Sequence, residues 1–228
     1  GARDIWYDDS VKRLNSEERG IYLGAFKGED KILVIMQSGY FRLMNYDLSN
    51  HFDEEMILIE KFDERKIISA IYYDAEQAKT YIKRFNIDGS LNGNRKIEFI
   101  PEHPENKLIS ISLDYLPNAE IVFDRKKNDK DIPNEVIHLD EFIGVKSYKA
   151  KGRRISNYVV ESISWLEPDP YEAPEIEEQP KAEETPQEEV QSKEEQDQPV
   201  IEKKEDGSNV EGPKNEILED DSQMTLEL

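Results

Sequence analysis

Between Lys31 and Tyr148 the chain is a succession of about ten short apolar runs, and none of them has a convincing helical period. Lys31 to Met36 is followed by the turn Gln37-Ser38-Gly39 and a second run, Tyr40 to Asn45, a pattern that predicts a hairpin. Met56 to Ile59, Ile67 to Tyr73, Tyr81 to Ile87, Ile97 to Ile100, Leu108 to Leu113, Ile121 to Phe123, Val136 to Leu139 and Val145 to Tyr148 follow, separated by Asp, Gly, Asn and Pro. In Leu108–Leu113, Ser110 and Ser112 fall at every second position, the period of a strand with one solvated face. Such short strands bury little singly, so the chain is expected to be all-β, built from small antiparallel sheets in preference to one continuous barrel.

This pattern stops near residue 166, where the charge also changes. Residues 1–166 carry 25 Lys and Arg against 29 Asp and Glu, whereas residues 167–228 carry 5 against 22. The overall charge of −21 therefore comes almost entirely from the second segment, and the body has to be judged alone. The tail holds seven of the eleven prolines and one aromatic residue, Tyr171. So few apolar groups cannot offset an ordering cost of roughly 1 to 2 kcal/mol per residue, so 167–228 is expected to be a disordered acidic tail behind a folded domain of residues 1–166. The chain has no cysteine, which excludes disulfides and thiolate metal sites. No apolar run approaches the roughly 20 residues of a membrane span, and a cytoplasmic location is expected.

Within the body one arrangement recurs. Val11-Lys12-Arg13-Leu14-Asn15, Phe41-Arg42-Leu43-Met44-Asn45, Ile82-Lys83-Arg84-Phe85-Asn86 and Gly152-Arg153-Arg154-Ile155-Ser156-Asn157 each embed Arg, alone or with a basic neighbour, in an apolar strand with Asn close behind. Side chains alternate across a strand, so the apolar members can face a core while alternate basic members project outward. Repeated on successive sheets, this would lay positive charge along a rim. The same pairs would also serve as solvated edges that keep strands from pairing with other chains. Lys146 to Arg154 is the strongest local cluster, with five cations (Lys146, Lys149, Lys151, Arg153, Arg154) and no acid. Arg125-Lys126-Lys127 with Lys130 is interleaved with Asp124, Asp129 and Asp131, and is expected to be a solvated loop.

Several segments together resemble a known family. Asp4 to Asn15, Asp30 to Gly39, Ile71-Tyr72-Tyr73-Asp74 leading to Tyr81-Ile82-Lys83-Arg84-Phe85, and Phe142 to Gly152 are similar to the C-terminal region of the family formed by the A subunits of bacterial DNA topoisomerase IV and DNA gyrase. The resemblance covers essentially the whole body. It implies a β-pinwheel, a propeller-like array of four-stranded antiparallel blades whose basic outer edge binds and bends duplex DNA. At roughly 50 residues per blade, the body has room for about three blades, which places it as the terminal part of a longer polypeptide. The glutamine- and arginine-rich box of gyrase is absent, which favours the topoisomerase IV branch. The family's catalytic tyrosine and magnesium-binding acids lie outside the match, so this segment is expected to be non-catalytic and to need no cofactor. Its parent would be an ATP-dependent type IIA topoisomerase, in the bacterial cytoplasm with the nucleoid.

The resemblance and the basic repeats together point to double-stranded DNA as partner through Lys12, Arg13, Arg42, Lys83, Arg84, Lys146, Lys149, Lys151, Arg153 and Arg154. The topoisomerase IV B subunit is the partner implied for the parent enzyme. The tail, with a mean reach of about 40 to 47 Å, could bring its carboxylates to any basic patch and tune DNA binding. Gln223-Met224-Thr225-Leu226-Glu227-Leu228 resembles the extended peptides that dock on the bacterial sliding clamp, through Gln223, Leu226 and Leu228. The competing reading is a propeller-like protein-interaction module with an acidic, partner-recruiting tail. The two part on charge geometry, since DNA requires the cations on one continuous edge. Asp88 to Gly93 begins like a calcium loop but lacks its closing acid at the right position, and is expected to be a hairpin loop; His51, His103 and His138 have no second ligand at metal spacing.

Overall fold

The computed structural model describes residues 1–91 and 94–172 of the 228-residue chain. It is almost entirely β, with every strand pair antiparallel. The strands are β1 (Arg3–Asp8), β2 (Arg13–Asn15), β3 (Ile21–Phe26), β4 (Ile32–Met36), β5 (Tyr40–Met44), β6 (Met56–Lys61), β7 (Ile68–Asp74), β8 (Lys79–Phe85), β9 (Ile97–Glu98), β10 (Lys107–Ser112), β11 (Asn118–Phe123), β12 (Glu135–His138), β13 (Arg153–Arg154) and β14 (Val160–Leu166). Two single-turn helices, α1 (Arg125–Asn128) and α2 (Leu139–Phe142), flank β12.

Four sheets result, in the orders β2-β1-β3, β6-β4-β5-β9, β10-β7-β8-β13 and β12-β11-β14. Each is a blade with the same plan: a first strand in the middle, its hairpin partner on one side and a later strand on the other. The expected count of about three blades becomes four, because the first blade is completed within Arg3–Phe26 by very short connections.

Beyond this plan, successive blades exchange chain. The connection from β8 to β10 sends β9 back to pair with β5 of the preceding blade, and the connection from β12 to β14 sends β13 back to pair with β8. The shorter connection from β5 to β6 manages only a bridge between His51 and Arg13 on β2. Exchange therefore grows with connection length: residues 45–55 reach far enough for one bridge, while 86–106 and 139–159 each lay down a short strand. Asp88 and Leu91 do close a turn, at 3.1 Å, but it leads from one blade to another and not between hairpin partners. Val145–Tyr148, expected as a strand, contributes only the bridge from Lys146 to Phe85.

The blades stack face to face over three apolar layers. The first joins Ile5, Tyr7, Leu14 and Phe26 to Ile32, Val34 and Met36. The second joins Leu33, Ile35, Phe41 and Leu43 to Ile68, Ala70, Tyr72, Tyr81 and Phe85. The third joins Ile71 and Ile82 to Ala119, Ile121, Ile137 and Ile155. Alternate residues of β4 thus enter different layers, which explains why Lys31–Met36 reads as a continuous apolar run instead of alternating. Strand β14, by contrast, leaves four of its seven residues exposed and has none fully buried.

Candidate nucleic-acid interface

The recurring basic motif marks equivalent places in the fold. Arg13 lies on β2, Arg42 on β5, and Lys83 and Arg84 on β8, in each case the hairpin partner of its blade's first strand. Strands β5 and β8 each also receive a strand of exchanged chain and supply residues to two apolar layers, so they are flanked on both edges as well as covered on both faces. The consequence corrects the sequence expectation for two residues. Lys83 and Arg84 are buried, at 3% and 4% exposure, and do not project to any rim.

Both have structural partners. The Lys83 ammonium donates to the Phe99 carbonyl and, at 2.6 Å, to the Tyr148 carbonyl, so one side chain ties together the two exchange connections. Burial without a carboxylate partner lowers its pKa to about 8. Arg84 Nε donates to Ser69 Oγ (3.1 Å) and a terminal nitrogen to the Tyr115 carbonyl (2.8 Å); burial lowers its pKa as well. Arg42 is half-buried beside Tyr40, 5.8 Å from the ring centre, and its Nε has no hydrogen-bond partner among the described residues. Lys12 is held by Asp9 at 2.6 Å, and half-buried Arg13 approaches the Ser49 carbonyl at 3.4 Å. These motifs therefore do not form a continuous cationic edge.

The segment Lys146–Arg154 behaves differently. It is fastened along β8 by its backbone while its basic side chains stay exposed. Lys146 N donates to the Arg84 carbonyl (2.9 Å), Arg153 and Arg154 pair with Ile82 and Tyr81, and Ile155 N donates to the Thr80 carbonyl (2.9 Å). Tyr72 Oη donates to the Lys151 carbonyl at 2.6 Å, and Tyr148 packs edge-on against Phe41. Gly152 makes the close approach possible: its φ is +93°, and a Cβ would collide with the Ile82 carbonyl.

Its side chains divide into one neutralised and four available cations. Lys151 pairs with Asp74 at 2.9 Å and lies over the Tyr81 ring. Burial alone would raise the Asp74 carboxyl, but the Lys151 ammonium and the Gln77 and Glu76 amides outweigh it and hold the group below its ordinary value. Lys146, Lys149, Arg153 and Arg154 have no carboxylate partner among the described residues. The Arg153 guanidinium sits 4.2 Å over the Phe142 ring and donates to the Phe142 carbonyl (2.9 Å), while Arg154 donates to Asn157 and Gln77, both at 3.0 Å. These contacts spread the guanidinium planes over the surface without neutralising them. In the first two blades and the turn that follows, Lys12, Arg19, Lys61, Arg65 and Lys66 are ion-paired, while Arg3, Arg13, Lys27, Lys31 and Arg42 make no ion pair among the described residues.

Residues 167–172, assigned to the tail from the sequence, still pack on the fourth blade: Asp169 N donates to the Leu116 carbonyl (3.0 Å) and Tyr171 stacks on Tyr115. The clamp-like residues Gln223, Leu226 and Leu228 lie outside the described residues. No group of three or more metal-ligating side chains occurs among the described residues, and no helix there is long and apolar enough to cross a membrane.

A family model described as the topoisomerase C-terminal domain of Bacteroidota matches residues 13–167. No curated protein sequence matches the chain. A crystal structure of the C-terminal domain of DNA topoisomerase IV is similar at 10% sequence identity and a TM-score of 0.49. The alignment covers 73% of this chain and 62% of that one.

Proposed function

This chain belongs to the topoisomerase C-terminal domain family of Bacteroidota, and from that premise we propose that its body is a non-catalytic module that binds and bends duplex DNA for an enzyme of the topoisomerase IV type. The observation that carries this reading is the Lys146–Arg154 segment, in which Lys146, Lys149, Arg153 and Arg154 stand exposed, without a carboxylate partner among the described residues, on a backbone tied to β8. Such a surface needs no base reading: Lys and Arg meet phosphates, and affinity comes from counterion release. Bending a site of a few helical turns costs on the order of 1 to 6 kcal/mol, which additional phosphate contacts along the bent path must offset.

In this reading the topoisomerase IV B subunit partners the parent enzyme, which works on DNA in the cytoplasm. The acidic tail competes with phosphates for the same cations and weakens binding. Its last six residues dock on the sliding clamp, which pull-down with and without Gln223–Leu228 tests.

The decisive experiment is a salt titration of duplex DNA binding by the wild type and by the Lys146→Gln, Lys149→Gln, Arg153→Gln, Arg154→Gln variant. Each lost phosphate contact should make the slope of log affinity against log salt shallower by about 0.9. An unchanged slope and affinity would remove the DNA reading.

A further inference from the structure

The fold places a second basic cluster, between Arg125 and Lys130, beside the Arg153–Arg154 end of the first. Helix α1 carries Arg125, Lys126 and Lys127, all exposed, with Lys130 just beyond it. It is seated on the chain that leaves β13. Asp124 N donates to the Val159 carbonyl (2.9 Å), Val159 N donates to Asn128 Oδ1 (2.8 Å), and Asn128 Nδ2 returns a bond to the Val159 carbonyl (2.9 Å). Lys130 Nζ donates to Tyr158 Oη at 2.9 Å and lies 4.5 Å from that ring's centre. Tyr158 follows Asn157, the residue that receives Arg154. Contact by contact, α1 is thus joined to the Arg153–Arg154 end of the basic segment.

Two of the acids that interleave α1 in the sequence serve as its caps. Asp124 caps the helix, its carboxylate accepting from Lys127 N at 2.8 Å, and Asp129 forms the left-handed C-cap with φ of 51°. Neither Asp124, Asp129 nor Asp131 makes an ion pair with Arg125, Lys126, Lys127 or Lys130 among the described residues. Glu161 shares a groove with Lys127 and with Lys107 of the third blade.

We propose that α1 and Lys130 extend the phosphate-binding surface of Lys146–Arg154 onto the fourth blade, so that one duplex spans both. The inference rests on the DNA reading and adds residues to it. The lever is counterion release, to which each added cation contributes independently of base sequence.

The test uses the full chain with Arg125→Gln, Lys126→Gln and Lys127→Gln combined, a duplex of about three helical turns, and fluorescence anisotropy over a range of salt. Glutamine keeps helix propensity and leaves the Asp124 cap intact, and a thermal melt checks that the fold is retained. The expected result is a loss of affinity of about tenfold or more at moderate salt, with a slope shallower by about 3. Unchanged affinity and slope, while the Lys146–Arg154 variant loses binding, would overturn this inference and leave the DNA reading standing. If neither variant loses binding, both fall.

Discussion

Lys83 shows how a charged residue in a repeated motif becomes structural. Its strand is apolar on both faces, with Tyr81, Ile82 and Phe85 around it, and that two-sided pattern is the signal that the strand is covered from both directions. Period-two alternation predicts an outward face, but two neighbouring blades occupy both faces. The ammonium is kept because two carbonyls from separate connections need a donor. A pH dependence follows from its lowered pKa of about 8. Between that value and the ordinary lysine value near 10.5 the unfolded chain holds a proton that the folded chain has released, so Lys83's contribution to stability rises with pH across this window. It is fully present above the unfolded value and lost as pH falls through about 8. Urea unfolding of wild type and Lys83→Met from about pH 7.5 to about pH 10.5 should show their stability difference shifting toward wild type as pH rises; a constant difference would rule this out. Arg153 and Arg154 are the opposite case. Their strand has only two residues and pairs on one side, with β8, so their side chains remain in solvent.

At the scale of elements, the long inner strands are legible in the sequence because each satisfies two apolar layers at once. Lys31–Met36, Tyr40–Asn45, Ile67–Tyr73 and Tyr81–Ile87 correspond to β4, β5, β7 and β8 within a residue or two. Strands β1, β3 and β14 carry weaker signals, since the blades they belong to bury fewer of their residues; β14 has no fully buried position. The two-residue strands β9 and β13 have no periodicity to detect. They exist because a 21-residue connection is long enough to reach the preceding blade's edge. The layer between the second and third blades should be the most sensitive to truncation. Phe41 is fully buried there among Phe85, Phe99 and Tyr148, so Phe41→Ala should cost about 3 to 5 kcal/mol in chemical denaturation. It should also loosen the Lys146–Arg154 segment through Tyr148. A cost under about 1 kcal/mol would mean the layer re-collapses around the gap.

For the molecule as a whole, the separation of a near-neutral body from an acidic tail sets the electrostatics. An attached polyanion keeps its carboxylates at an effective concentration of order millimolar near any cation it can reach. Truncation after Glu172, which spares the Tyr171 stack on Tyr115, should raise duplex affinity at fixed salt and steepen the salt slope. Equal affinity with and without residues 173–228 would mean that the tail leaves DNA binding untouched.

From the sequence alone came the all-β character, the separation of the acidic tail and the Lys146–Arg154 cluster, because these depend on local composition and on a strand period that any sheet must obey. Tertiary structure decided which cations face solvent, how many blades the body forms, and that α1 lies beside the chain leaving β13. A strand's alternation defines two faces but not what will cover them, and only the stacking and exchange of blades settles whether a lysine meets water or a buried carbonyl.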